Sequence, residues 1–275
     1  MQQTRKDKMQ NIQSKKIQVN KVDINYFSGG TDDPLVVIHG GGEGARSWLK
    51  NAEELSKNYS VYIPDLPGFG DSQQISDRFH MPEYVSFVDD FTRTLGLERF
   101  YLVGHSIGGG IALHYAFKHP HKVSGLVLVD SFCLGKEVAL WIRVLSASAL
   151  CRSLGQFLAA CTKAIKSLVH LVYAPFSFAN PLSYIKIDMG PTMTTLRGQR
   201  KVLKDRLPNL EVPTLVVWGA KDIIVPASQA YAAARVIPDC QLHVFHDCGH
   251  SAYKQRPTEF SQVVARFLRL NRQIR

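Results

Sequence analysis

Cysteine patterns that staple a fold or hold a metal are missing from this chain. Its five cysteines, Cys133, Cys151, Cys161, Cys240 and Cys248, are odd in number and none stands in a CxxC pair. That excludes a disulfide framework and a zinc ribbon and reads as reduced thiols. No His, Asp or Glu cluster has metal-ligand spacing, so neither a metal nor another cofactor is expected. Long apolar runs are missing too. The most apolar region, Val138 to Val172, is broken by Arg143, Arg152, Lys163 and Lys166 into pieces too short for a bilayer span. Met1 to Lys16 has neither an apolar centre nor a small-residue cleavage site, which predicts no secretory signal and a soluble, cytoplasmic protein without stable membrane insertion.

Acidic charge is in short supply, with 23 Asp and Glu against 33 Lys and Arg, a formal +10. Residues 1 to 21 hold six basic side chains and only Asp7, and the last ten add Arg266, Arg269, Arg272 and Arg275 with no acid. The body is therefore nearly balanced and the basic ends read as solvated tails. With no docking motif for a nucleic acid, no such partner is expected.

What remains, at 275 residues, 45% hydrophobic and 20% charged, is enough for one substantial core and excludes a disordered or collagen-like chain. Short β-branched runs recur at Lys16 to Asn20, Val22 to Phe27, Leu35 to His39, Ser60 to Pro64, Phe100 to Gly104, Gly125 to Val129, Val212 to Trp218 and Gln241 to Phe245. The later runs are continuous rather than alternating, as in strands covered on both faces, and the first two suit a hairpin around Lys21. Helical patterns fit Pro82 to Thr94, Gly109 to His119, Ser228 to Val236 and Pro257 to Leu270. These alternations predict an α/β fold: a mainly parallel eight-stranded sheet with helices on both faces. Residues 1–15 would be a basic disordered tail, 16–131 the first part of the core, 132–205 an inserted helical cap dense in apolar residues, and 206–275 the second part of the core.

Chemistry concentrates at the ends of these strands. Ser106, in Gly104-His105-Ser106-Ile107-Gly108, sits where a strand turns sharply into a helix, the place for a hydrolytic nucleophile. Acyl transfer then needs a base, a group to orient it and donors for the oxyanion. His250 follows the last strand, and Asp222 follows the strand before it. Asp130, just after Val129, could orient the histidine in a variant arrangement, but reads more readily as a loop or helix cap. His105 reads as a packing residue, and His243 and His246 as facing solvent or their neighbours.

Taken together, these residues resemble the α/β-hydrolase superfamily from about Ile17 to Leu270. Ile38-His39-Gly40-Gly41-Gly42 is similar to the family's oxyanion loop, and Asp65-Leu66-Pro67-Gly68-Phe69-Gly70-Asp71-Ser72 to its turn after the fourth strand. The resemblance implies that Ser106 attacks an acyl carbon, His250 carries the proton and Asp222 fixes the imidazole. It also implies that the amides of Ile107 and Gly41, with Gly42 the nearby substitute, hold the oxyanion. A serine nucleophile excludes an Asp-dependent dehalogenase or epoxide hydrolase. The stretch Gly40 to Trp48 is similar to the loop of meta-cleavage-product carbon–carbon hydrolases, from which the chain departs at Glu43, His105 and Ser251; Arg197 or Arg200 could supply that group's cap arginine.

The expected function is hydrolysis of a carboxylic ester or related acyl bond of a small apolar substrate through an acyl-enzyme. Two readings stay beside it: carbon–carbon hydrolysis, and a slow or non-catalytic small-molecule receptor on the same fold. The expected partner is a small-molecule acyl substrate, with a homodimer left open.

Overall fold

The structure is a computed structural model, and it describes residues 12–42, 44–75, 79–140, 142–143, 194–195 and 197–273. Strands β1 (Gln13–Val19) and β2 (Val22–Gly29) form the expected antiparallel hairpin, with Val19 opposite Val22. Asn20 and Lys21 both take positive φ, 49° and 67°, the two-residue turn geometry that follows the twist of the sheet. Because β1 begins at Gln13, residues 13–15 pair with β2 instead of belonging to the tail. The hydrogen-bonding partner, not the local charge, decides their state.

After β3 (Pro34–Ile38) come α1 (Leu49–Leu55), β4 (Ser60–Pro64), α2 (Met81–Thr94), β5 (Phe100–His105), α3 (Ile107–Lys118) and β6 (Val123–Val129). A small hairpin of β7 (Thr194–Thr195) and β8 (Gly198–Gln199) leads to β9 (Thr214–Gly219), α4 (Ser228–Ala234), β10 (Cys240–Phe245), α5 (Ala252–Gln255) and α6 (Pro257–Gln273). The eight-stranded sheet has the order β1-β2-β4-β3-β5-β6-β9-β10. Only β1–β2 and β2–β4 are antiparallel; the pairings from β4 to β10 are parallel.

Two hydrophobic cores lie on opposite faces of this sheet, because side chains alternate along each strand. Val36, Leu102, Leu126 and Val216 pack with Val88, Phe91 and Ile111 of α2 and α3. Leu35, Val103, Val127 and Val217 pack with Leu55 of α1 and Phe260, Val264 and Phe267 of α6. Each such fully buried side chain contributes about 1.5–3 kcal/mol, which explains the continuous apolar runs of the central strands.

Most of the predicted cap, 132–205, lies outside the described residues; its two stems, 132–140 and 197–205, are described. No helix among the described residues is long and apolar enough to cross a membrane.

Candidate active site

Every parallel strand ends on the same edge of the sheet, and the predicted site residues follow those ends. Ser106 sits between β5 and α3 with φ 54° and ψ −118°, a conformation that costs a non-glycine residue about 1–3 kcal/mol. Neighbouring backbone holds it there. Its amide donates to Val129 O (2.9 Å), and its carbonyl accepts from the amides of Gly110 (3.2 Å) and Phe132 (3.0 Å). The flanking glycines permit the turn: a Cβ at Gly104 would lie 2.3 Å from Gly108 O, and one at Gly108 would lie 2.4 Å from His39 O.

His250 Nε2 lies 2.9 Å from Ser106 Oγ, and His250 Nδ1 lies 2.8 Å from Asp222 Oδ2. The carboxylate accepts, so the proton of the neutral imidazole sits on Nδ1 and Nε2 accepts from the Ser106 hydroxyl. Both side chains are buried, at 5% and 0% exposure, so this contact lies in a medium poor in water. Asp222 is itself oriented, since Oδ1 accepts from the amides of Ile224 (2.7 Å) and Val225 (3.0 Å). The amide of Lys221 donates to Cys248 O (2.8 Å), which ties the Asp222 loop to the His250 loop.

Gly40 and Gly41 lie against the same elbow: a Cβ at Gly40 would meet Ser106 Cβ at 3.3 Å, and one at Gly41 would meet Ile107 Cδ1 at 2.5 Å. Ile107 begins α3, so its amide is at the electropositive end of a helix. Gly42 follows in the turn after β3.

Two residues support this loop beyond what its motif reveals. His39 Nε2 accepts from the amide of Leu66 (3.0 Å), which leaves Nδ1–H to donate to Gly40 O (2.8 Å) and sets the peptide ahead of Gly41. Asp65, buried, accepts from Ala45 N (2.6 Å), Asn25 Nδ2 (2.9 Å) and Asp71 N (3.0 Å). The motif Asp65 to Ser72 marks that turn in the sequence, but nothing local says which distant amides its carboxylate gathers.

Asp130 makes no hydrogen bond to His250, and the backbone amide of Ala252 at the start of α5 bonds its carboxylate, as a helix cap would. Its Oδ1 accepts from Gly219 N (2.8 Å), fastening β6 to the end of β9. Burial, and then the negative charge of Asp222, push its pKa up to about 8. His105 packs as expected, its ring 5.0 Å from that of His250 and 4.8 Å from that of Tyr253. Its Nε2–H donates to His250 O at 2.7 Å, and burial, then the charge of His250, hold its pKa well below the ordinary histidine value. Arg197 and Arg200 are exposed beside β8.

Residues 33–257 match the family described as alpha/beta hydrolase fold. The chain belongs to the α/β-hydrolase family. Among relatives of this α/β hydrolase, the 2-hydroxymuconate semialdehyde hydrolase of Pseudomonas sp. (strain CF600) is 30% identical over 254 residues, 89% of each chain. A thermophilic esterase from Thermogutta terrifontis superposes with a TM-score of 0.69 at 25% identity, covering 94% of this chain and 99% of the other. A carboxylesterase from Bacillus subtilis gives a TM-score of 0.72 at 18% identity, covering 94% and 92%, a likeness of fold alone. The protein is thus a hydrolase of the α/β family.

Proposed function

We propose that this α/β hydrolase cleaves a carboxylic ester or related acyl bond of a small apolar substrate through a covalent acyl-enzyme. One observation carries the reading: the continuous line from Asp222 Oδ2 through His250 to Ser106 Oγ, with contacts of 2.8 and 2.9 Å. His250 takes the seryl proton as Oγ attacks the acyl carbon and returns it to the leaving group; water then repeats the cycle to release the acid. Asp222 holds the tautomer and stabilises the imidazolium. The amides of Ile107 and Gly41, with Gly42 as substitute, receive the charge that develops on the carbonyl oxygen.

A serine-directed fluorophosphonate should label Ser106. Ser106→Ala should abolish both labelling and turnover of short p-nitrophenyl esters while the melting temperature stays near that of the wild type. Labelling of another serine would overturn the assignment. A second reading, hydrolysis of a carbon–carbon bond in a ring-fission diketone, is favoured by the 30% identity to a 2-hydroxymuconate semialdehyde hydrolase. Faster turnover of such a diketone than of any ester would select it.

A further inference from the structure

The stretch that leaves β6 touches both halves of the proposed site. Phe132 N donates to Ser106 O at 3.0 Å, and Ala139 N donates to Ile224 O at 2.9 Å. Ile224 is the residue whose own amide donates to Asp222. Residues 132–139 therefore form an arc bonded at one end to the nucleophile's carbonyl and at the other to the loop of the acid. The arc has no regular ladder of its own, and Cys133 within it takes φ 74°, a left-handed conformation that a cysteine keeps only when its surroundings impose it.

One side chain imposes it from the returning stem. Gln199, buried at 7% exposure, accepts from Cys133 N through Oε1 (2.7 Å) and donates from Nε2 to Glu137 O (3.0 Å). A single primary amide thus fixes the arc at two points four residues apart, once as acceptor and once as donor. The backbone agrees with it: Gln199 N donates to Lys136 O and Leu203 N to Cys133 O, both at 2.8 Å. A Cβ at Gly198 would fall 2.2 Å from Lys136 O, so only glycine lets the stems approach this closely. Gln229 of α4 completes the contact by donating to Glu137 O.

The geometry points to Gln199 as a positioning residue for the proposed hydrolysis: its amide holds the 132–139 arc that fixes Ser106 and the Asp222 loop relative to each other. Its side chain bonds the arc and Gln229, not Ser106, His250 or Asp222. This inference rests on the hydrolase reading above.

The test is Gln199→Met, which keeps the length of the side chain and removes its two hydrogen bonds to the arc, compared with Gln229→Met, which removes a bond to Glu137 O and the acceptor of Gln199 Nε2 but leaves Cys133 N bonded. Gln199→Met should lower kcat on a p-nitrophenyl ester about 10-fold and slow fluorophosphonate labelling of Ser106 similarly, with KM within about twofold. Gln229→Met should stay within about threefold in kcat. Gln199→Asn, withdrawn by one methylene, serves if Gln199→Met does not fold, with the same fall expected. Exchange of the Phe132 and Cys133 amides in the wild-type protein needs no variant, and the two should open together.

Undiminished kcat in a folded Gln199 variant, equal losses in the two methionine variants, or Cys133 exchanging freely while Phe132 stays protected would each overturn the inference while leaving the hydrolase reading intact. A wild-type protein that neither labels nor turns over would remove both.

Discussion

Asp222 and Asp130 are buried carboxyls on the same sheet edge, but their partners assign them different work. Asp222 meets the imidazole and takes two amides, whereas Asp130 takes the amide of Gly219 at a strand end. Asp222→Asn should therefore lower turnover by roughly 10³ to 10⁴-fold with substrate binding largely kept, because an amide can hold the wrong tautomer. Asp130→Asn should cost less than about 10-fold; steady-state kinetics on the two folded variants compares them, and a larger loss at Asp130 would reverse the assignment. Asp130 should appear instead in stability. Its pKa of about 8 in the folded protein lies above the ordinary 3.8, so between those pH values the folded state keeps a proton that the unfolded chain has released. The contribution is fully present below about pH 4 and is lost as pH rises towards 8. Urea denaturation at pH 5 and 7.5 should show the wild type losing more stability than Asp130→Asn over that interval; equal losses would refute it. At this scale the meeting of Ser106, His250 and Asp222 was legible because each follows a strand end in a short, recognisable turn. Gln199 was not, since its partner Cys133 N lies 66 positions away and such a pairing leaves no local pattern.

Between elements, hydrogen bonds from the other end of the chain hold the segment that follows His250. Asn51 in α1 is fully buried, and its Nδ2 faces Tyr253 O (3.1 Å), Pro257 O (3.2 Å) and Ser261 Oγ (3.2 Å). It thereby joins α1 to α5 and to the start of α6. Trp48 stacks on Tyr253 at 4.0 Å beside it, so a buried amide and an aromatic stack both hold the segment just after His250. Asn51→Ala would leave carbonyls buried without that donor, and should cost about 2 kcal/mol by urea denaturation. A change under about 0.5 kcal/mol would mean that water replaces the amide at no cost. The periodicity of α6 and the continuous runs of β5, β6 and β9 made these elements readable, because burial on a regular element repeats along the sequence. Contacts such as Asn51 to Tyr253 span 202 positions and join elements without repeating, so only the folded chain reveals them.

Across the whole molecule, stability and chemistry occupy different levels of the same sheet. The central strands are buried on both faces, while β1 at one edge is mostly exposed and carries Lys15 and Lys16, charges that discourage pairing with another sheet. Leu126, fully buried in β6, pairs with Leu102 on one side and with Thr214 at the start of β9 on the other, well below the ends where Ser106, Asp222 and His250 meet. Truncating it removes packing without touching the site. Leu126→Ala should therefore lower stability by about 3 kcal/mol, within the 2–5 kcal/mol range of such core truncations, while kcat per folded molecule stays within about twofold. Ser106→Ala should do the reverse, leaving the unfolding midpoint near the wild type and removing turnover, because on the proposed function its hydroxyl serves the reaction and not the core. Paired measurements of denaturation midpoint and active-site-normalised kcat on these two variants test the separation. A Leu126→Ala protein that keeps its stability but loses kcat would show that the central core itself sets the distance between nucleophile and base.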